Sequence, residues 1–178
     1  MKLSPVMQKF ILHWGEMGTR WGINRTVAQT YALLYLSPEP LNAEEISNTL
    51  SVARSNVSMC LKELQGWGIV KVAHVLGDRR DHFTATKDVW ETFQRILDER
   101  KRREVDPTLK VLQDCIAEID SSGKNDAYVR EHLLELLDFF ATMVSLYEEV
   151  RQLPGERLRQ FVRLRGTLRK LLGAEKKR

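Results

Sequence analysis

The stretch from Leu41 to Thr86, LNAEEISNTLSVARSNVSMCLKELQGWGIVKVAHVLGDRRDHFTAT, narrows the possible folds more than any other part of the chain. Pro40 ends what precedes it. Asn42 is a helix-capping residue type with Glu45 at the spacing of a capping box. Ile46 and Leu50 give a short helix one apolar edge, and Ser51 with Val52 makes a turn. A second helix is expected from Ala53 to Gln65. At about 100° per residue, Val57, Leu61 and Leu64 share one face of it, with Ala53 and Cys60 on the flank. Ser55, Ser58, Met59 and Lys62 lie opposite, Asn56 beside them and Arg54 at the N-terminal end. Gly66 and Gly68 stop the helix. Ile69 to Val75 alternates as a strand does, Leu76 to Asp81 is a loop carrying Arg79 and Arg80, and His82 to Thr86 is the return strand.

The outward helix face is small and polar, with no carboxylate before Glu63. Small side chains let a helix sit deep in a groove, and Asn and Arg can pair with adenine and guanine edges. Serine hydroxyls and a helix N-terminus suit phosphate oxygens. Arginines on a narrow loop can enter a minor groove or clamp phosphates, and Asp78 is placed to fix Arg80 by an ion pair. Alone, the helix also fits an exposed amphipathic helix, and the hairpin an ordinary charged turn. Helix, turn, helix and basic hairpin in this order fit a winged helix-turn-helix on duplex DNA.

The chain resembles MarR-type winged-helix transcriptional regulators, in particular the GbsR-like branch that controls glycine-betaine synthesis. SNVSMCLKELQGWGIV and GDRRD carry the likeness, with WGINRTVAQTYALLYLSPEPL upstream, and Asp78-x-Arg80 matches the wing motif of these regulators. One departure is Ala53, where the family usually has Ser or Thr. A missing capping hydroxyl costs about 1 kcal/mol, and Ser51 is the alternative cap. The resemblance implies DNA contacts from Arg54, Ser55, Asn56, Ser58, Lys62, Asp78, Arg79 and Arg80.

At 178 residues the chain is one domain or two small ones. We divide it into a winged helix-turn-helix with an N-terminal helix over 1–90 and a helical dimerisation region over 91–178. The fold class is mainly α, with a two-stranded β-wing. The net charge of +4 is unevenly spread: +3 over 1–104, −7 over 105–150 and +8 over 151–178. That pattern fits a DNA-facing part and an interacting helical part. Cys60 and Cys115 fall among apolar neighbours and read as reduced thiols, with a redox switch as the alternative. Without a signal peptide or a membrane-length apolar run, the expected place is the cytoplasm, with no membrane partner.

Ser4-Pro5 opens a first helix, on which Val6, Phe10, Trp14, Met17 and Trp21 form an apolar stripe. A helix from Arg25 to Leu36 buries Val27, Tyr31, Leu34 and Tyr35. Trp14, Trp21, Tyr31 and Tyr35 read first as core or dimer-interface filler. Aromatic faces also hold quaternary ammonium groups, and the GbsR-like resemblance implies a choline-like effector there. Lys87 to Glu104 is a connecting helix with Val89, Trp90, Phe93, Ile96 and Leu97 on one side and DERKRRE as a solvated end. Pro107 starts another helix on Leu109, Leu112, Ile116 and Ile119, and Ser121 to Asn125 is a loop. From Asp126 to Gln152, Val129, Leu133, Leu136, Phe140, Met143, Tyr147 and Val150 keep a heptad rhythm that Leu137 and Val144 widen. After Pro154-Gly155, a last helix places Phe161, Leu164, Leu168 and Leu171 on one face amid basic residues.

A winged helix reads a short half-site, so a homodimer on a palindromic operator is expected, built by helices from both ends of the chain. Repressor and activator fit the residues equally. The histidines His13, His74, His82 and His132 are scattered without metal-ligand spacing, and no catalytic motif or cofactor site is present, so no enzyme is expected. The second functional reading is a winged helix that docks protein, which would place an apolar patch where the polar helix face stands.

Overall fold

A computed structural model describes residues 3–122 and 126–152. The expected last helix after Pro154-Gly155 and residues 123–125 of the expected loop lie outside the described residues. The chain divides into two compact units, Met1–Ile96 and Leu97–Arg178.

The first unit begins with α1 (Pro5–Arg20), where the Ser4 hydroxyl accepts from the Met7 N–H and Pro5 takes the first turn. The stripe read from the sequence is buried in part: Phe10, Trp14 and Met17 are half-buried, and its two ends are not. Val6 is 77% exposed and Trp21 50%, while Ile11, Gly15 and Gly18 are buried. The reason is α2 (Arg25–Leu36), which α1 meets through bare backbone. A Cβ on Gly18 would stand 2.5 Å from Ala28 Cβ, and one on Gly15 would stand 2.6 Å from Gln29 Cγ. Glycine adds nothing to an apolar pattern, so a helix face made of it escapes a search for hydrophobic spacing. Phe10 and Trp14 pack at the edge of the core.

Asn24 caps α2 through Oδ1, which accepts from Thr26 and Val27 N–H. The helix is buried nearly all round, with Ala32, Leu33 and Leu34 inaccessible and Tyr35 half-buried. Its C-terminal carbonyls are satisfied by a side chain from far along the chain. Lys87 Nζ donates to the carbonyls of Leu34 (2.8 Å), Tyr35 (2.7 Å) and Ser37 (2.8 Å). This uses all three ammonium donors on orphan acceptors of a helix end, and burial lowers the Lys87 pKa.

Next come β1 (Leu41–Asn42), α3 (Ala43–Leu50), α4 (Arg54–Gly66), β2 (Val70–Ala73) and β3 (His82–Ala85). The capping box at Asn42 and Glu45 is present in both directions. The sheet is antiparallel in the order β1-β3-β2, with Leu41 opposite Phe83 and Val72 opposite Phe83 on the other side. The hairpin expected from the sequence is β2–β3, and β1 adds a third strand to it. Ile46, Val57, Leu61, Leu64, Ile69, Val70 and Phe83 close the core with α2. The fold is a mainly helical winged helix-turn-helix.

The unit boundary falls within α5 (Val89–Arg100). A π-helical turn, Lys101–Val105, follows, then α6 (Asp106–Ser122) and α7 (Ala127–Arg151). Pro107 was expected to start a separate helix, but the chain does not break there. The Asp106 N–H reaches back to the Lys101 carbonyl, a wider turn placed just before the residue that has no N–H of its own. The run DERKRRE is not a simple solvated face either. Glu99 is buried and accepts from Arg102 Nη2 at 2.6 Å and Nε at 3.0 Å, and it pairs with Arg103 as well. Ser121 and Ser122, expected in a loop, belong to α6. In this unit Leu112 and Ile116 are buried on α6, and no described residue of α7 is.

Candidate nucleic-acid interface

The reversal between α3 and α4 depends on Ser51, at φ 54°, a left-handed conformation uncommon for a residue with a Cβ. Its N–H caps α3 on the Ser47 carbonyl. The Ser47 hydroxyl then donates to the Val52 carbonyl at 2.6 Å and fastens the turn. Ser51 therefore does not cap α4. Ala53 holds that position with no side-chain bond, which leaves the first N–H groups of α4 without a capping oxygen.

Val57, Cys60, Leu61 and Leu64 of α4 are buried, and Arg54, Ser55, Ser58, Met59 and Lys62 are exposed. The one misplaced residue is Ala53, expected on the apolar flank and found exposed. Asn56 is half-buried, and its Oδ1 lies 3.6 Å from Cys60 Sγ, in range of a weak S–H donor. The Ser58 hydroxyl donates to the Arg54 carbonyl at 3.0 Å and keeps acceptor capacity on its outward side. The helix ends in a Schellman motif: Gly68 N–H reaches the Gln65 carbonyl and Ile69 N–H the Leu64 carbonyl. Gly68 sits at φ 72°, with its carbonyl held by Arg95 Nη1 at 2.7 Å. A side chain at Gly68 would meet both the strained φ and that guanidinium.

The wing turns at Gly77, φ 85°, where Asp78 N–H reaches the Val75 carbonyl. Asp78 then organises the tip. Its Oδ1 accepts from Arg80 N–H and from Arg80 Nε, each at 3.0 Å, and Arg80 Nη2 stands 2.5 Å from Oδ2. The expected ion pair is thus formed. The Arg80 side chain, then its backbone N–H, hold the Asp78 carboxyl far below the usual carboxylate range. The remaining Arg80 nitrogen, Nη1, lies 3.5 Å from Glu44 Oε2 in the first turn of α3. The Glu44 contact was not visible from spacing, because it joins residues of two elements. His82 is buried below, with Nδ1 3.0 Å from the Arg80 carbonyl and Nε2 3.6 Å from Asp78 Oδ2. Arg54, Lys62 and Arg79 make no ion pair with another described residue.

The aromatic residues singled out for an effector fall into two ring pairs. Trp14 and Trp21 meet edge to face at 5.9 Å, and Tyr31 and Tyr35 stack at 5.9 Å. The tyrosines are already engaged. The Tyr31 hydroxyl donates to Thr92 Oγ1 at 3.2 Å, and Lys87 Nζ stands 5.7 Å from the Tyr35 ring centre, where a ligand cation would go. Cys60 is buried and Cys115 half-buried, and both are free. Among the described residues no cluster could hold a metal ion, and no helix is long and apolar enough to cross a membrane.

The family model for MarR matches residues 21–81, which takes in α2, α3, α4, β2 and the wing loop as far as Asp81. No curated protein matches the chain. Among solved structures, one described only as a transcriptional regulator aligns with a TM-score of 0.62 at 20% identity, over 83% of this chain and 96% of that one. That likeness shows a shared fold. A mutant MepR of S. aureus bound to an oligodeoxyribonucleotide aligns at 0.38 and 16% identity, over 78% and 92% of the two chains. The transcriptional regulator Tm0710 from Thermotoga maritima aligns at 0.37 and 19%, over 79% and 92%.

Proposed function

We propose that the chain is a sequence-specific, DNA-binding transcriptional regulator of MarR type, acting as a homodimer in the cytoplasm. The observation that carries this reading is the division of α4: Val57, Leu61 and Leu64 are inside, and Arg54, Ser55, Ser58 and Lys62 are outside. In this reading α4 lies in the major groove. Arg54, Ser55, Asn56, Ser58 and Lys62 meet bases and phosphates, and the wing with Asp78, Arg79 and Arg80 meets the adjoining backbone or minor groove. The uncapped N–H groups at Ala53 suit a phosphate oxygen, which would supply the acceptor the side chain lacks. Residues 1–90 serve as the reading head and 91–178 as the dimerisation region on a palindromic operator. Support for the dimer comes from α7, where Val129, Leu136, Phe139, Met143 and Leu146 are exposed in a single copy of the chain. The finer assignment is to the GbsR-like branch, as a repressor released by a small effector. For a choline-like cation the candidates are Trp14, Trp21, Tyr31 and Tyr35, of which Tyr31 already donates to Thr92 and Tyr35 already faces Lys87.

The test is duplex binding against salt concentration. Several phosphate contacts give a log–log slope of about −0.9 for each. Arg54→Ala and Lys62→Ala should each weaken binding and flatten the slope. Selection from a random duplex pool should return a two-fold symmetric site, and sedimentation should give twice the chain mass. A salt-independent response with both variants silent would overturn the reading in favour of a protein-docking module. That alternative has less behind it, because Met59 is the only large apolar side chain exposed on α4.

A further inference from the structure

We infer that Arg95 is a positioning residue for DNA recognition: from α5 it holds the backbone joint between α4 and the wing. The inference rests on the DNA-binding reading above and deepens it. Only Trp67, Gly68 and Ile69 separate the end of α4 from the start of β2. The backbone of these residues therefore sets the direction in which the wing leaves the helix. Gly68, at φ 72°, is the permissive point, because glycine populates both signs of φ and its own sterics do not hold the joint in one form. The Schellman bonds hold the N–H side of the joint, and its carbonyl side is held from elsewhere. The Thr86 N–H donates to the Ile69 carbonyl at 2.9 Å, from the end of the return strand. Arg95 Nη1 donates to the Gly68 carbonyl at 2.7 Å, from α5.

The setting of Arg95 suits this task and does not suit a phosphate. Its other terminal nitrogen, Nη2, donates to Glu91 Oε1 at 2.6 Å, one turn earlier on the same helix. A planar guanidinium makes both bonds at once, so Glu91 fixes the direction in which Nη1 points. Both terminal nitrogens thus face acceptors of the chain itself, and the side chain is 35% exposed. The bare α-carbon of Gly68 gives the guanidinium its place, because a Cβ there would fall on Nη1. Thr92, three residues before Arg95, bonds instead to Tyr31 of α2. The first half of α5 therefore grips the central helix at one point and the end of α4 at another.

The full chain is titrated across a salt series with two probes: the duplex that wild type recovers from a random pool, and a shuffled duplex of the same composition. Arg95→Met keeps a long stem and removes the donors. It should weaken binding to the selected duplex about tenfold, the usual size of one lost base contact. The shuffled duplex should bind within about twofold of wild type at an unchanged salt slope, because non-specific binding counts charges and not the attitude of a helix. Arg95→Lys, which keeps a charged donor, should restore part of the loss, and Glu91→Gln should lose about threefold on the selected duplex alone. Amide exchange over residues 64–70 should quicken in Arg95→Met and keep the wild-type rate over 27–34. A reduced slope on both duplexes would overturn the inference by making Arg95 a phosphate contact. An equal loss on both at an unchanged slope, or no loss on the selected duplex, would overturn it as well. Should Arg95→Met fail to fold, Glu91→Gln decides by the same readings. A wild-type selection that returns no preferred duplex would instead overturn the DNA-binding reading itself.

Discussion

The two units of the chain are held together by different means. In the first, α2 is wrapped by α1, α3, α4 and the sheet, and Leu33, Ile46 and Val57 are inaccessible. In the second, α6 buries Leu112 and Ile116, while α7, at 25 residues the longest helix described, buries none. Its links to the start of the unit are largely polar: the Tyr147 hydroxyl donates to Asp98 Oδ1 at 2.5 Å, Arg151 Nε pairs with the same oxygen at 2.8 Å, and Lys101 lies 3.8 Å from Glu148. Desolvation, then the Asp98 contact, raises the Tyr147 pKa. A long helix is stable in water chiefly when an apolar face is covered. The head has an enclosed core of its own, whereas α7 has apolar surface to spare.

The contrast can be broken most directly by truncating one apolar residue in each unit. Leu33→Ala should cost about 3 kcal/mol, the usual result of emptying a packed site. All four tryptophans, Trp14, Trp21, Trp67 and Trp90, lie in the first unit, so urea unfolding followed by tryptophan fluorescence reads that unit. Phe139→Ser should leave that transition within about 0.5 kcal/mol and should instead lower self-association in sedimentation. Equal shifts of the fluorescence transition by both variants would sink the contrast. A smaller effect concerns Glu99, whose carboxyl the Arg102 and Arg103 guanidinium groups hold below the ordinary range. A depressed folded-state pKa means stabilisation that is full above the ordinary glutamate range and is lost as pH falls through the folded value. Glu99→Gln should cost about 1 kcal/mol at neutral pH, measured by helical circular dichroism, and the difference should close in acid. A penalty constant with pH would remove the ion-pair explanation. The smallest expected change is a gain. Ser51→Gly relieves the left-handed φ and should stabilise the head by about 0.5 kcal/mol, since the extra freedom of glycine in the unfolded chain offsets part of the relief. A loss of stability would show that Ser51 is held by more than its backbone.

What could be read from sequence follows the range of the forces involved. The α4 faces and the Asn42–Glu45 box are local patterns, and Asp78 reaches Arg80 across a single intervening residue, so spacing sufficed. Strand β1 was missed because two residues carry no periodicity and their partners, His82 and Phe83, are some 40 positions on. Lys87 stands in the sequence only as the start of the connecting helix, although its ammonium closes a helix end some 50 positions earlier. In α1 the aromatic spacing drew attention to Val6 and Trp21, while Gly15 and Gly18, which have no side chain to enter an apolar pattern, lie on the buried face beside Ile11. The π turn before Pro107 has no pattern of its own, since a missing N–H is compatible with a helix start as well as with a widened turn.

That seating of α1 has a mechanical consequence. Where Gly18 rests on Ala28, there is no long side chain between the helices to swing aside and absorb a displacement. Gly18 and Ala28 leave the two helices no clearance at that point, so a larger side chain at either position would have to part them, and α2 is the axle around which the first unit is assembled.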